Sequence, residues 1–256
     1  MPASSFRCDV NNQPVPFKAC QNCASTGLAK SLGCGHFSGV LKALEQNIRK
    51  PMDGLSVTEL IGCPRALYFK QRVDYSVYPS SLYWAFRGTM IHKVLEDQKE
   101  DGDIQEQRFF IEIGDIKLSG QPDLIRGDVI YDFKTTARIP EAPYDHHIVQ
   151  ISLYAYLLSR QHPAIEVKTG KIVYLSFMKH VTLDCELWPL TTCESYITQK
   201  LSEYKASQDA PPPFEKYFST KNWQCGKDRE SSYCDVRDEC TQNQNIPTTP
   251  MRRKVA

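Results

Sequence analysis

Asp123 and Asp132 carry carboxylates, and Lys134 an ammonium, within the short stretch GQPDLIRGDVIYDFKTT spanning Gly120 to Thr136. Two carboxylates brought together repel, so a cation should stand between them, supplied by a metal ion or by Lys134. The chemistry open to such a trio is metal-assisted. Two β-prone runs, Leu124–Ile125 and Val129 to Phe133, flank Gly127-Asp128, a dipeptide that closes two-residue hairpins because glycine supplies a positive φ. With those two residues as the loop, Arg126 pairs with Val129, Ile125 with Ile130, Leu124 with Tyr131, and Asp123 with Asp132. The carboxylates then stand about 5 Å apart on one face, and the strand period of two returns Lys134 to that face. A surface hairpin with a chance charge triplet is the competing reading; the flanking runs, suited to burial on both faces, argue against it.

The rest of the chain must position this hairpin. With 256 residues, 41% hydrophobic and 11% aromatic, it can fill a globular core. A net charge of +1 neither supports nor excludes nucleic acid, which needs only a local basic patch. No apolar run approaches the roughly 20 residues of a membrane span. MPASSFRCDV lacks the basic region and apolar core of a signal peptide, so a cytoplasmic protein with no membrane partner is expected.

Ser56-x-x-Glu59 reads as a capping box opening SVTELIGC, and Pro64 starts PRALYFKQR at a first helical position. Leu82, Phe86, Met90 and Val94 recur at helical spacing, predicting an amphipathic helix from Ser81 to about Glu100 that carries His92. EQRFFIEIG reads as a strand turned by Gly114-Asp115 into IKLSG, with Glu106 a solvated strand end. A helix from about Tyr144 to Arg160 puts Gln150 and Tyr154, four apart, on one face. Two strands, KTGKIVYLSFM and KHVTLDCELWPL, and a helix from about Thr191 to Ser207 follow; Pro211-Pro212-Pro213 ends that helix, and the tail after Asn243 reads as disordered.

Ten cysteines in a reducing compartment point to metal rather than to disulfides. Cys20-x2-Cys23, with Cys8 before and Cys34 after, offers four thiolates to a tetrahedral zinc; His36 is an alternative fourth ligand, and unligated cysteines on a disordered arm are the other reading. Cys185 and Cys193 read as packing residues. Taken alone, Cys63 also reads as packing, and His92 as a surface or core histidine.

Order changes those two readings. Cys63 in SVTELIGCPRALYF, Arg87-Gly88 followed by His92, Gly120-x-x-Asp123, Asp132-x-Lys134, Gln150-x3-Tyr154 and late Cys225, Cys234 and Cys240 succeed one another. Together they resemble the RecB-like iron-sulfur nucleases of the PD-(D/E)xK superfamily, and among these the CRISPR-associated Cas-four exonuclease family or a viral or plasmid relative. The resemblance implies an α/β fold: a restriction-endonuclease-like core with a central mixed sheet flanked by helices, a helical iron-sulfur subregion and a Cys-rich N-terminal appendage. It divides the chain into an appendage at 1–50, a nuclease core at 51–210 and a cluster-binding segment with tail at 211–256.

The same resemblance assigns Mn²⁺ or Mg²⁺ to His92, Asp123, Asp132 and the Phe133 carbonyl, the imidazole tilting preference toward Mn²⁺. Lys134 is implied as catalytic beside Asp123 and Asp132, and Gln150 and Tyr154 as DNA-positioning; Glu106 falls where such enzymes place an accessory carboxylate, the alternative to its reading as a solvated strand end. Cys63, Cys225, Cys234 and Cys240 are implied as ligands of a [4Fe-4S] cluster, with zinc the alternative metal for four thiolates. The gap between Cys225 and Cys234 is longer than the family's usual two residues. The implied function is a metal-dependent exonuclease acting on single-stranded DNA, 5′ to 3′ favoured, in CRISPR adaptation and antiviral defence or in recombination and repair. A reading from another class makes the chain a DNA-binding adaptor that docks on an integrase complex, with limited catalysis of its own.

Overall fold

The computed structural model describes residues 3–26, 28–50, 52–221, 224–227 and 232–242, so the tail after Asn243 lies outside the described residues. The chain divides into two units: Met1–Pro51, Cys63–Phe86 and Glu203–Ala256 form the first, and Met52–Gly62 and Arg87–Ser202 the second.

In chain order the elements begin with β1 (Ser5–Arg7), β2 (Pro14–Val15), α1 (Phe17–Ser25), α2 (Leu28–Ser31) and α3 (Ser38–Gln46). Next come β3 (Leu55–Ser56), α4 (Val57–Ile61), α5 (Pro64–Arg72), β4 (Ser76–Val77), α6 (Pro79–Glu96), β5 (Ile104–Gln105), β6 (Phe109–Ile113) and β7 (Ile116–Gly120). Then follow β8 (Leu124–Arg126), β9 (Val129–Thr135), α7 (Asp145–Gln161), β10 (Thr169–Leu175), β11 (His180–Cys185), α8 (Leu190–Ala206), α9 (Phe214–Tyr217) and α10 (Arg237–Gln242).

The second unit is built on a mixed five-stranded sheet, β11-β10-β9-β8-β5, with a three-stranded sheet, β3-β7-β6, beside it. β8 and β9 form the expected hairpin, pairing Arg126 with Val129, Ile125 with Ile130 and Leu124 with Tyr131. Gly127 has φ +59°, the left-handed conformation that the tight loop demands and glycine tolerates without strain. The ladder ends at Leu124, so Asp123 is not a strand partner of Asp132; its carboxylate instead accepts a hydrogen bond from the Phe133 N–H.

β9 runs parallel to β10, and the connection is α7, as a parallel pair requires. Every residue of α7 from Val149 to Leu158 is buried, because the helix packs on α4 as well as on strands of both sheets. Ile125, Ile130, Ile151, Leu153, Leu157, Ile172 and Tyr174 are nearly inaccessible; each apolar side chain so enclosed contributes about 1.5–3 kcal/mol. The capping box opening α4 is present: Ser56 Oγ accepts the Glu59 N–H at 3.2 Å, and Glu59 Oε2 accepts the Ser56 N–H at 2.8 Å.

One helix departs from its expected face. Met90 and Val94 of α6 are 53% and 62% exposed. Helical spacing of apolar residues shows that a face exists, not that a neighbour covers it; the inward-turned side of this segment carries His92, whose ring meets Phe133 edge-on at 5.9 Å.

In the first unit a small sheet, β2-β1-β4, lies with α1 and α3 around Phe6, Leu41, Leu44 and Val77. A second cluster gathers Tyr68, Phe69, Val236 and Cys240. Pro64 occupies the first turn of α5 as expected, and Cys63 is the residue before that turn.

Candidate active site

His92 sets the geometry. Its Nε2 lies 3.0 Å from the Phe133 carbonyl, which can only accept, so this nitrogen carries the proton. That leaves Nδ1 facing Asp123 Oδ1 at 3.2 Å and Glu106 Oε1 at 3.9 Å. Three acceptors turned on one another need a cation or a proton among them. The titration of the imidazole reflects that need: burial pulls its pKa down, yet the hydrogen bond and charge of Asp123, then Phe133 and Glu106, outweigh burial and raise it.

Burial and the Asp123 charge in turn push Glu106 up. Among the described residues, His92, Glu106 and Asp123 are the one group of three or more His, Cys, Asp or Glu whose ligand atoms all lie within 4.8 Å of one another. Oxygen and imidazole donors so spaced suit Mn²⁺ or Mg²⁺.

Glu106 is not the solvated strand end that the sequence suggested. It follows β5, which pairs with β8, and its N–H donates to the Asp123 carbonyl at 3.3 Å. Its φ of +49° turns the chain where no glycine advertises a turn, and Gln121 donates to its carboxylate.

Beside this trio lies a buried polar chain. Lys134 Nζ is 2.8 Å from Asp132 Oδ2 and donates to Gln150 Oε1 at 3.0 Å; Gln150 Nε2 donates to the Tyr154 hydroxyl at 2.7 Å. The Lys134–Asp132 contact is close but lacks hydrogen-bond direction, leaving a fully enclosed carboxylate oxygen without a directed donor. Burial drives Asp132 upward, with the Asp123 charge adding to it and Lys134 opposing. Burial pulls Lys134 down, but Asp132, Asp123 and Tyr154 overcome it and hold the ammonium above its ordinary value.

The hairpin, α6 and α7 thus bring His92, Asp123, Asp132, Lys134, Gln150 and Tyr154 into one site. The Phe133 carbonyl, expected as a metal ligand, accepts a hydrogen bond from His92. Gln150 and Tyr154 are only 9% and 6% exposed and reach Lys134 from inside the fold. Cys185 and Cys193 are buried packing residues. Neither remaining cysteine set has three sulfurs within 4.8 Å of one another. Each set is nonetheless gathered within the first unit: Cys63 and Cys225 act on Cys240, Cys63 acts on Cys234, and Cys34, Cys8 and Cys23 act on Cys20. No helix among the described residues is long and apolar enough to cross a membrane.

Comparison with known proteins agrees with this architecture. Among solved structures the chain is similar to the one described as SSO0001, at 22% identity and TM-score 0.55, over 81% of this chain and 95% of that one; this likeness shows a shared fold. Slighter resemblances, both at TM-score 0.33, are to an alkaline exonuclease from Laribacter hongkongensis and to a protein described as an exonuclease of Eubacterium rectale. The first is 17% identical over 47% of this chain and 68% of that one, the second 13% over 65% and 63%. No curated protein matches. The model of the PD-(D/E)XK nuclease superfamily matches residues 90–241, and with that match extending over more than half its length, the chain belongs to this superfamily.

Proposed function

We propose that the chain is an exonuclease that hydrolyses phosphodiester bonds of single-stranded DNA, 5′ to 3′ favoured, with a divalent cation at the His92 site. The observation that carries this reading is the convergence of His92 Nδ1, Asp123 and Glu106 beside the Lys134–Asp132 pair. The donor set fits Mn²⁺ or Mg²⁺: His92, Asp123 and Glu106 would hold it, Asp132 completing the carboxylates. The bound cation would polarise the phosphoryl oxygen and lower the pKa of a bound water.

The chain's own groups do the rest. The Phe133 carbonyl fixes the His92 tautomer so that Nδ1 presents a lone pair, a role typical of an outer partner to a ligating imidazole. Lys134 is an ammonium at neutral pH, so it orients water and offsets charge growing on the phosphate rather than taking up a proton. Gln150 and Tyr154 hold Lys134 in place, and their burial favours this positioning role over direct contact with the strand.

Cys63, Cys225, Cys234 and Cys240 of the first unit fit a [4Fe-4S] cluster in charge as well as number. Arg65 donates from Nε to Cys240 Sγ at 3.1 Å, and the Lys70 ammonium lowers Cys234 against the rise that burial causes. Backbone N–H groups of Ala66 and Arg65 face Cys63. These positive groups offset clustered thiolates, and metal would tie Cys63 to the end of the chain. The sequence resemblance supports a place in CRISPR adaptation or in recombination and repair, with an integrase complex as partner.

The deciding experiment is cleavage of end-labelled single- and double-stranded DNA in Mn²⁺ and in Mg²⁺, beside iron analysis of anaerobically purified protein. Stepwise shortening of single strands from the 5′ end is expected. Uncut ends with internal nicking would overturn the exonuclease reading, and iron-free protein the cluster.

A further inference from the structure

Four cysteines of the first unit serve neither the His92 site nor the iron-sulfur set. Cys8 directly follows β1, on a turn closed by hydrogen bonds from the Cys8 N–H to Gln13 O at 2.9 Å and from the Asn12 N–H to Cys8 O at 2.8 Å. Cys20 and Cys23, three apart on α1, share a helical face. Phe17 at the start of α1 packs edge-on against Phe6 of β1, ring centroids 4.6 Å apart, and so brings that helix to the strand ending beside Cys8.

Cys34 returns by another route. The chain turns after α2, where the Gly33 N–H donates to Lys30 O at 3.1 Å. Two residues past Cys34, His36 Nε2 lies 2.5 Å from Asp9 Oδ2, the residue next to Cys8. Two unrelated contacts, Phe6–Phe17 and Asp9–His36, therefore carry three separate stretches of backbone to one place, each with thiols on it.

We propose that Cys8, Cys20, Cys23 and Cys34 form a structural zinc site that fastens the end of β1, α1 and the turn after α2 together. Cys34, Cys8 and Cys23 each lie near enough to Cys20 for their charges to act on it, which places all four thiols in one neighbourhood. Tetrahedral zinc at about 2.3 Å from each sulfur needs sulfurs about 3.8 Å apart. No three of the four sulfurs lie within 4.8 Å of one another and all four thiols are partly exposed, so the proposed site requires side-chain rotation to close on the metal.

There is also a need for the clip. The fully buried apolar core of this region is Ala3, Phe6, Leu41, Leu44 and Val77, with Val15, Phe17, Cys20, Ala24 and Ile48 among the partly buried side chains packed against it, a modest core for a stretch that is mostly turns and short helices. Small apolar cores are commonly supplemented by a bound metal. Asp9 and His36 remain a flanking pair, the aspartate orienting the imidazole outside the four sulfurs.

The test is zinc and iron quantified side by side in the full chain purified anaerobically. About one zinc per chain is expected. Cys20→Ala and Cys23→Ala should lose it while iron stays at the wild-type level, which separates this site from the iron-sulfur proposal and from global unfolding. Cys23→His, which keeps a donor at that position, should retain zinc. Wild-type protein without zinc, or equal zinc in the wild type and both alanine variants, would overturn the proposal.

Discussion

Lys134 and Asp132 form an enclosed ion pair, Nζ to Oδ2 at 2.8 Å, with the aspartate side chain only 2% exposed. Neither charge is independent of the other. Removing one partner of a buried pair leaves the second uncompensated and costs about 3–5 kcal/mol, whereas replacing both by neutral groups of like volume is far milder. Lys134→Ala should therefore lower the melting temperature and also reduce cleavage by at least about 100-fold. Lys134→Met with Asp132→Asn should recover the melting temperature and leave cleavage lost. Recovery of both, read by thermal unfolding and DNA cleavage on the same samples, would make the pair structural only.

Gln150 separates two ways in which α7 can serve the site. It accepts from Lys134 at 3.0 Å and donates to Tyr154 at 2.7 Å, all under cover. Gln150→Leu takes one partner from Lys134, which keeps Asp132, and one from Tyr154, which keeps Thr58, an expected loss of about 0.5–1.5 kcal/mol. If Gln150 acts through Lys134, kcat falls while KM for single-stranded DNA holds. A rise in KM at unchanged kcat would mean that it grips the strand instead. Tyr154→Phe, which removes only the outer link of the chain, should show a weaker form of the same kcat effect.

Proton and metal compete for His92. Its pKa in the fold is raised above the ordinary value, chiefly by Asp123 against the pull of burial. With no cation bound, the stability gained from its charged form is fully present below the unfolded value near about 6.5 and is lost as pH climbs through the raised folded value. Metal reverses the preference, because it takes the Nδ1 lone pair that the proton would take. Mn²⁺ affinity should thus weaken by up to about tenfold per pH unit as pH falls below the raised pKa. His92→Asn should bind weakly with a flatter pH dependence. Calorimetric titration of both proteins across this range is the check; an affinity flat with pH in the wild type would remove His92 from the metal site.

How much of this was legible in the sequence varied with the distance over which each contact acts. The β8–β9 register followed from Gly127-Asp128 because a two-residue loop fixes its neighbours by counting. The same counting placed Asp123 opposite Asp132, but the ladder stops one residue short and Asp123 turns to the Phe133 N–H. Glu106 was read first as a solvated strand end and only second as an accessory carboxylate, since it arrives through β5 on β8, a pairing of two residues with no turn signal, and through a left-handed φ on a residue that rarely adopts one. Gln150 and Tyr154 were correctly set on one face of α7, yet a helix enclosed all round gives no amphipathic cue to which side holds them. The opposite error befell α6, where Met90 and Val94 repeat at helical spacing and still face solvent.

The close approach of α7 to β7 yields a further prediction. A Cβ at Gly120 would stand 2.6 Å from Tyr154 Cδ1 and 2.6 Å from Leu157 Cδ1, closer than carbon atoms tolerate. Neither neighbour can yield easily: Leu157 is wholly buried and Tyr154 is held by Gln150. Gly120→Ala should destabilise the fold by about 1–3 kcal/mol through overpacking. Because the displaced ring carries the end of the Tyr154–Gln150–Lys134 chain, cleavage should fall by more than the loss of folded protein explains. Tyr154→Phe in the same chain should not rescue it, since the clash is with a ring carbon and not with the hydroxyl. Leu157→Ala should relieve part of the strain while opening a cavity of its own. Activity per folded molecule, from cleavage rates corrected by thermal unfolding, decides the matter: an unchanged value in Gly120→Ala would show that Lys134 does not depend on the seating of α7.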